Sequence, residues 1–383
     1  MRKKIVALAC AASAALAVTS APPVAARPRP AAELPVHLYG GAWPTSHVQG
    51  VVVDRAKGFV YYSFTTMLVK TDLRNRVIGT VEGLTGHLGD LDQNPADGRV
   101  YGSLEYKEAE AFYIAIFDVD KITRVGMNAE QDDVMTTVYL DEVVEDFTAD
   151  MDGNGVFDGN VADTPDHRYG SSGIDGVSFG PEFGKRNPDD KLLVAYGIYT
   201  NLERTDNNYQ VLLEYDVRRW AKYERPLSES APHRSGPRRT PDKFFVYTGN
   251  THFGVQNLEY DSYTGNWMMA VYTGQKPEFP NYSLFMVDAG AKPRRGVIEG
   301  QPTRERGQIL PLLPYGLYDP GTGIHGWESE GNVGLESLGD GTYYIARAAA
   351  VTQDGVVKQD ANLTRHYWTG ETPTPFRPFT SGS

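Results

Sequence analysis

The sequence predicts an all-β chain folded as a single β-propeller, and three observations point there. A unit of four short strands recurs along the chain; its third strand repeatedly ends in aspartate; and the composition is rich in turn and aromatic residues. The first unit is Val48 to Gly83, "VQGVVVDRAKGFVYYSFTTMLVKTDLRNRVIGTVEG". It holds four β-branched or aromatic runs (Val51–Val53, Val60–Phe64, Leu68–Leu73 and Val77–Val81) broken by Gly, Asn or charged turns. Four consecutive antiparallel strands of this length make one propeller blade.

The pattern returns in "HLGDLDQNPADGRVYGSLEY" with "AFYIAIFDVDKI" and "VMTTVYL". It appears again in "GIDGVSFGP", "KLLVAYGIYT", "YQVLLEYDV" and "KFFVYTG", then in "VQNLEYDSYTGNWMMAVYTG" with "YSLFMVDA". "NVGLESLGDGTYYIARAAA" with "LTRHYWTG" gives a last, shorter unit. The third strand ends in Asp72, Asp118, Asp216 and Asp288. Forty glycines, 24 prolines and 23 tyrosines suit turn-rich sheet. Five blades are predicted, with uneven spacing that leaves room for a sixth. The alternatives, a β-sandwich or a right-handed β-helix, do not explain the grouping in fours. An N-terminal strand in "ELPVHLYGG", Glu33 to Gly41, is expected to complete the last blade and close the ring, removing exposed sheet edges.

The ends and insertions follow from composition. "MRKK", the apolar run "IVALACAASAALAV" and the small-residue site Val24 to Ala26 read as a secretion signal over residues 1–26, with the propeller occupying 27–383. A secreted, extracellular protein is expected. No other segment approaches the roughly 20 apolar residues of a membrane span. The only cysteine, Cys10, falls in the leader, so the mature chain has no thiol, disulfide or thiolate metal site. Removing Arg2, Lys3 and Lys4 with the leader takes the formal charge from −12 to −15. That surface disfavours nucleic acid and anionic membrane as partners, because phosphate contacts need clustered cations. A monomer acting on a small-molecule or polysaccharide substrate is expected. Two insertions interrupt the blades, one at about 141–172 and a polar one, "YERPLSESAPHRSGPRRTPD", expected as an exposed loop.

The first insertion contains "DMDGNGVFDGN", which reads as a structural calcium loop. Calcium takes six to eight oxygens, and Asp150, Asp152, Asn154, the carbonyl of Val156 and Asp158 supply them in order around the tight bend at Gly155. The twelfth position is Val161 and not the glutamate of an EF-hand, so Asp163 or Asp146 is expected to add a ligand.

In a propeller the start of each innermost strand and the end of its neighbour converge on an axial funnel. His47 and Gln49 fall there from blade one, and His87, Asp90 and Glu105 from blade two. Blade three gives Asp175 and Tyr199, blade four His252, Gln256 and Tyr272, and blade five Glu336 and Arg347. Three of the eight histidines thus precede a first strand. Imidazoles beside carboxamides and carboxylates suit a second divalent metal, Mn, Zn, Fe or, less well, Ca. Alternatively a histidine acts as general base, Tyr199 or Tyr272 as acid, and Arg347 as an anion clamp. The catalytic candidates are therefore His47, His87, Asp90, Glu105, Tyr199, His252 and Arg347. Gln49, Asp175, Gln256, Tyr272 and Glu336 are candidates for binding substrate. The bland reading is that such residues only satisfy backbone groups and waters around the channel. His37, His167, His233, His325 and His366 are expected in loops or packing.

The segments "SHVQGVVVD", "GHLGDL", "DGRVYGSLEY", "GIDGVSFGP" and "GVQNLEYD", behind a secretion signal, resemble a type of secreted bacterial β-propeller of unassigned function. The blade pattern also resembles gluconolactonase-like and other lactonase propellers, whose axial Glu, Asn and Asp bind calcium. The axis richer in His and Gln is similar to propeller lyases of the oligogalacturonate-lyase type, a resemblance that implies a metal neutralising a uronate carboxylate. The function expected is a secreted metal-dependent carbohydrate-active enzyme, lyase or glycoside hydrolase. The alternatives are a metal-assisted phosphoesterase or lactonase, and a non-catalytic carbohydrate-binding propeller using Trp43, Trp267, Trp327 and Tyr106 as an aromatic rim.

Overall fold

Strands form where the sequence has its alternating and continuous apolar runs, and their pairing builds five sheets around one axis. The computed structural model describes residues 34–238 and 241–380. The expected leader lies outside the described residues. Blade one runs Val48–Asp54, Phe59–Phe64, Met67–Asp72 and Val77–Glu82, with Met127–Asn128 added in parallel at its outer edge. Blade two is His87–Gln93, Val100–Tyr106, Ala111–Phe117 and Met135–Tyr139. Blade three is Ser171–Pro181, Asp190–Ile198, Tyr209–Tyr215 and Asp242–Tyr247, extended by Arg306–Leu310 and Arg294–Val297. Blade four has three strands, Thr251–Asp261, Asn266–Thr273 and Leu284–Asp288.

Blade five is Leu335–Ser337, Thr342–Arg347 and Val356–Trp368, and the N-terminal strand His37–Trp43 pairs antiparallel with the last of these, His37 opposite Thr364. The ring therefore closes as expected, with five blades. A bulge at Gly40 and Gly41 lets the closing strand turn, and the φ of +89° at Gly41 is one that glycine tolerates. The innermost strands touch in sequence, blade one to two, two to three, three to four, four to five, and five back to one.

Blades bury both faces against neighbours, which is why many strands read as unbroken hydrophobic runs. In "AFYIAIF", Phe112, Ile114 and Ile116 pack toward blade three, while Ala111, Tyr113, Ala115 and Phe117 pack toward blade one. Three further apolar clusters fill the remaining interfaces: Leu193, Ala195 and Val255 between blades three and four, Met268 and Tyr343 between four and five, and Val51 and Tyr344 between five and one. The recurring strand-end aspartates cap turns. Asp72 accepts the amides of Arg74 and Arg76, Asp216 that of Arg218, and Asp288 that of Gly290.

The insertions differ in part from expectation. Residues 141–172 begin with a helix, Asp141–Phe147, whose Val143 and Phe147 are buried. The polar segment after Tyr223 is, over its described residues, the largely exposed loop expected, and it is pinned to the outer edge of blade two. Arg225 bridges Thr137, Glu224 forks onto the Arg99 guanidinium at 2.8 and 3.0 Å, and Glu229 accepts from Thr85 and Tyr106. Glu224 and Glu229 thus have partners on the blade, which composition alone does not reveal. Among the described residues no helix is long and apolar enough to cross a membrane.

Each innermost strand has one edge toward the axis with no strand to pair it, so its backbone groups need other partners. Asn257 is fully buried and joins three blades, donating to Gln49 O at 2.6 Å and accepting from Leu335 N at 2.8 Å. Asn257→Leu leaves both backbone groups unpaired in a dry interior. Urea unfolding of this variant is expected to show a loss of about 3 kcal/mol.

Candidate functional site

At one face of the ring the innermost strands carry β-bulges near their starts. Register breaks fall between Val48 and Gly50, Leu88 and Leu91, Ile174 and Val177, and His252 and Asn257. The corresponding tetrapeptides are "VQGV", "LGDL", "IDGV" and "VQNL", two apolar anchors around one unpaired residue in blades one and four (Gln49, Gln256) and two in blades two and three. A bulge turns such residues off the ladder and aims them away from it, here toward the axis. Gln49, Asp90, Asp175 and Gln256 all arise this way. The axis is narrow: a Cβ on Gly50 would sit 2.6 Å from Leu91 N and 2.7 Å from the Asp90 Cα, so only glycine fits.

The funnel holds a cavity of about 450 Å³ lined by His47, Gln49, His87, Lys107, Ser172, Asp175, His252, Phe253, Gln256 and Tyr272. The three histidines singled out before first strands thus meet in one cavity. Equivalent positions in blades two and four set their chemistry. His87 pairs with Glu105 across the first two strands, as His252 pairs with Tyr272.

On the blade-two side, His87 Nδ1 lies 3.3 Å from Glu105 Oε1 and 3.5 Å from Asp175 Oδ1. Lys107 Nζ is 3.5 Å from Glu105 Oε2. Gln256 Nε2 donates to Asp175 Oδ2 and to Phe253 O, both at 2.9 Å. His87, Glu105 and Asp175 each offer one ligand atom, all within 4.8 Å of one another. Burial pushes the Asp175 carboxyl up to about 7, helped by the nearby Glu105 and opposed by His87, Lys107 and Gln256. For His87 burial favours the neutral ring, but Glu105 and Asp175 outweigh it and raise the imidazole.

The blade-four side is neutral. Thr200 Oγ1 donates to Thr251 O, so its oxygen accepts from His252 Nδ1 at 2.6 Å and leaves Nε2 as the free lone pair. Burial holds His252 below the usual histidine range. Tyr272 is pushed up to about 12 by burial and then by Asp175, so its hydroxyl stays protonated. The two rings lie 6.5 Å apart. His47 Nδ1 faces Val48 O at 2.8 Å, which likewise leaves its Nε2 free. Phe253 lines the cavity with its ring against His252, centroids 4.1 Å apart, 40% exposed and with a φ of +63° in the left-handed region.

The remaining candidates lie elsewhere. Asp90 is deeper on the axis, where one carboxylate oxygen accepts from Val177 N at 3.1 Å and Leu258 N at 2.9 Å. Glu336 accepts from Val53 N at 2.9 Å. Both stitch blades together, as the bland reading of axial polar residues expects. Tyr199 stands beside the cavity, its hydroxyl on the Asn160 side chain and its ring 6.0 Å from Lys107 Nζ. Arg347 is exposed, forks onto Glu330 at 2.7 and 3.0 Å and lines a separate cleft with His366, so it does not face the funnel. Trp267 and Trp327 are buried in the core and form no rim; Tyr106 hydrogen-bonds Glu229, and Trp43 donates to Gly40 O. Lys107, Ser172 and Phe253 were not anticipated. Lys107 lies two residues beyond Glu105, and Phe253 adjoins His252, so extending the same strand-end rule by a residue or two would have included both.

In the Asp150 loop, Asp150 accepts the amides of Gly153, Asn154 and Gly155, Asp152 that of Asn154, and Asn154 Oδ1 that of Val156. The third carboxylate gathered near Asp150 and Asp152 is Asp166, fully buried, which also accepts from Met151 N and Asp158 N. Asp158 bonds Thr164, Asp163 is exposed, and Asp146 faces Tyr196 and Lys243. The acid gathered beside Asp150 and Asp152 is therefore Asp166, while Asp163 and Asp146 lie outside that group. The Asn160 side chain carries the loop onto Tyr199 and Glu108 at the funnel wall.

No protein-family model matches the chain, and no curated protein matches its sequence. Solved structures that match include a functionally unknown protein from Desulfotomaculum acetoxidans, at 9% identity over 87% of this chain and 69% of that one, TM-score 0.35. A protein of unknown function from Bacteroides caccae matches at 10% identity over 70% and 86%, TM-score 0.32. The PQQ domain of pyranose dehydrogenase from Coprinopsis cinerea matches at 9% identity over 82% and 81%, TM-score 0.35. Likenesses this remote carry no argument about family or chemistry, and none of them places the chain among lactonases or lyases.

The deeper carboxylates make stability depend on pH. Asp92 accepts from Phe179 N at 2.6 Å and Ser178 Oγ at 3.0 Å, yet burial prevails and pushes it up to about 6. A raised carboxyl favours the folded state while protonated, so its contribution is full below about pH 4 and is lost as pH rises through about 6. His167, His252 and His366, held low by burial, act in the opposite direction. The comparison that isolates Asp92 is with Asp92→Asn. Unfolding titrations are expected to show the variant gaining about 3 kcal/mol on the parent between pH 4 and pH 7.

Proposed function

We propose that the funnel is the active site of a secreted, metal-dependent carbohydrate-active enzyme, a lyase that cleaves a uronate-containing oligo- or polysaccharide by β-elimination. The observation that carries this reading is the His252–Tyr272 pair, a neutral imidazole with a free Nε2 beside a protonated phenol at the mouth of the cavity. His252 Nε2 takes the proton on the carbon alpha to the substrate's carboxylate. Those electrons form the new C=C bond as the C–O bond to the leaving sugar breaks, and the Tyr272 hydroxyl protonates the departing oxygen. The developing negative charge on the carboxylate meets Lys107, held cationic by Glu105 and Asp175 despite its burial. A divalent metal, when bound, adds further positive charge there. Phe253 offers a sugar ring an apolar face.

Hydrolysis is less well supported. It wants two carboxyl groups on opposite sides of the scissile bond. Glu105 and Asp175 both reach the same nitrogen of His87, so they stand on one side. The expected leader and acidic composition support an extracellular place of work.

The enzyme reading is tested by incubating the purified chain with acidic polysaccharides and Mn²⁺ and following the ultraviolet absorbance of an unsaturated uronate. His252→Ala and Tyr272→Phe are each expected to lower kcat by about 10²-fold or more. Activity should persist below the pH at which an ordinary histidine protonates, because His252 is held low. New reducing ends without absorbance, released phosphate, an opened lactone, or binding without turnover would each contradict the lyase.

Calcium at Asp150, Asp152 and Asp166 is the structural half of the proposal, ordering the loop whose Asn160 rests on the funnel wall. Added Ca²⁺ is expected to raise the melting midpoint of the parent and to leave Asp152→Ala unmoved in a thermal scan.

A further inference from the structure

We infer that His87, Glu105 and Asp175 are the ligands of a divalent cation of the Mn²⁺ or Zn²⁺ type, and that Lys107 competes with that cation for Glu105. Its catalytic role rests on the lyase reading above, but the binding does not. Glu105 is 2% exposed and Asp175 7%. Buried carboxylates are ordinarily hydrogen-bonded at both oxygens. Here Glu105 Oε2 and Asp175 Oδ1 have no hydrogen-bond partner, and the nearest nitrogens, Lys107 Nζ and His87 Nδ1, stand off at 3.5 Å. Two orphaned carboxyl oxygens and an imidazole nitrogen in one cluster form a donor set for a metal ion.

The donor types select among metals. Carboxylates alone would favour calcium or magnesium, whereas an imidazole among them shifts preference to first-row transition ions. Outer contacts fix the ligands, as they do in metal centres. Gln256 Nε2 holds Asp175 Oδ2, and Ser103 Oγ donates to the Asp175 carbonyl at 2.6 Å. Gly173 keeps the space beside Glu105 open, since a Cβ there would lie 2.2 Å from Oε2. His87 and Asp175 line the cavity that also contains His252 and Tyr272, so coordination positions not taken by protein face the substrate's place.

The test is calorimetric titration of the chelator-treated full mature chain with Mn²⁺ alone, in parallel with Glu105→Gln, Asp175→Asn, Lys107→Gln and Asp152→Asn, each checked for native circular dichroism. One Mn²⁺ is expected at the axis, bound at least tenfold more weakly in Glu105→Gln and Asp175→Asn. Asp152→Asn should keep that affinity, and Lys107→Gln should tighten it. If Glu105→Gln fails to fold, Asp175→Asn and Lys107→Gln still decide. Parent-like binding in Asp175→Asn, tightening absent in Lys107→Gln, or no axial Mn²⁺ in the parent overturns the assignment. Because no substrate is used, failure of the elimination chemistry and failure of this ligand set are read separately.

Discussion

The innermost edges of five sheets converge on an axis too narrow for another strand, and their backbone groups need partners in a dry channel. The chain meets this need with side chains borrowed from adjacent blades. Asp90 of blade two serves amides of blades three and four, Asp92 serves blade three, Glu259 of blade four serves Ser337 N, and Glu336 of blade five serves Val53 N. Asn257 ties blades one, four and five. These contacts hold five separate apolar interfaces in one register, so the ring behaves as a unit. They also place carboxyls where burial resists their ionisation; Glu259 and Glu336 are pushed well above the ordinary range by burial first and by neighbouring acids second.

The same constraint shapes the opposite end of the axis. Bulges relieve the crowding at the strand starts and simultaneously direct Gln49, Asp175 and Gln256 inward. Identical positions in blades two and four then diverge: blade two gives His87, Glu105 and Lys107, which meet Asp175 of blade three, and blade four gives a neutral His252 and Tyr272. Two environments so different face each other across one small cavity, and burial keeps His252 neutral and Tyr272 protonated on the second side. Fold requirements fill the deep stratum of the axis, and the polar groups at the mouth are left free of them.

How much of this could be read beforehand follows from the range of the interactions. The five blades, their strands and the closing N-terminal strand were legible because runs such as "AFYIAIF" and the turn residues between them are local signals. His47, His87 and His252 were legible because a strand start is a local property too. Arg347 and Trp267 were misplaced because position along a strand does not reveal whether a side chain faces the funnel, a neighbouring blade or solvent. Asp90 and Glu336 fell at the axis as expected, but their depth along it depends on three-dimensional stagger. Asp166 escaped notice because its approach to Asp150 requires the loop to fold back over intervening residues. The anchoring of the loop after Tyr223 was not legible because the partners of Glu224 and Glu229, namely Arg99, Thr85 and Tyr106, are distant in sequence.

The central claim is that function resides in the mouth of the axis, between a cation-binding side at His87, Glu105 and Asp175 and an acid–base side at His252 and Tyr272. The most direct measurement is anomalous diffraction from crystals grown with Mn²⁺ and soaked with an acidic oligosaccharide. The account predicts one axial manganese peak within bonding distance of those three side chains and a uronate carboxylate beside it. Sugar density in the Arg347–His366 cleft, with no manganese on the axis, would contradict it.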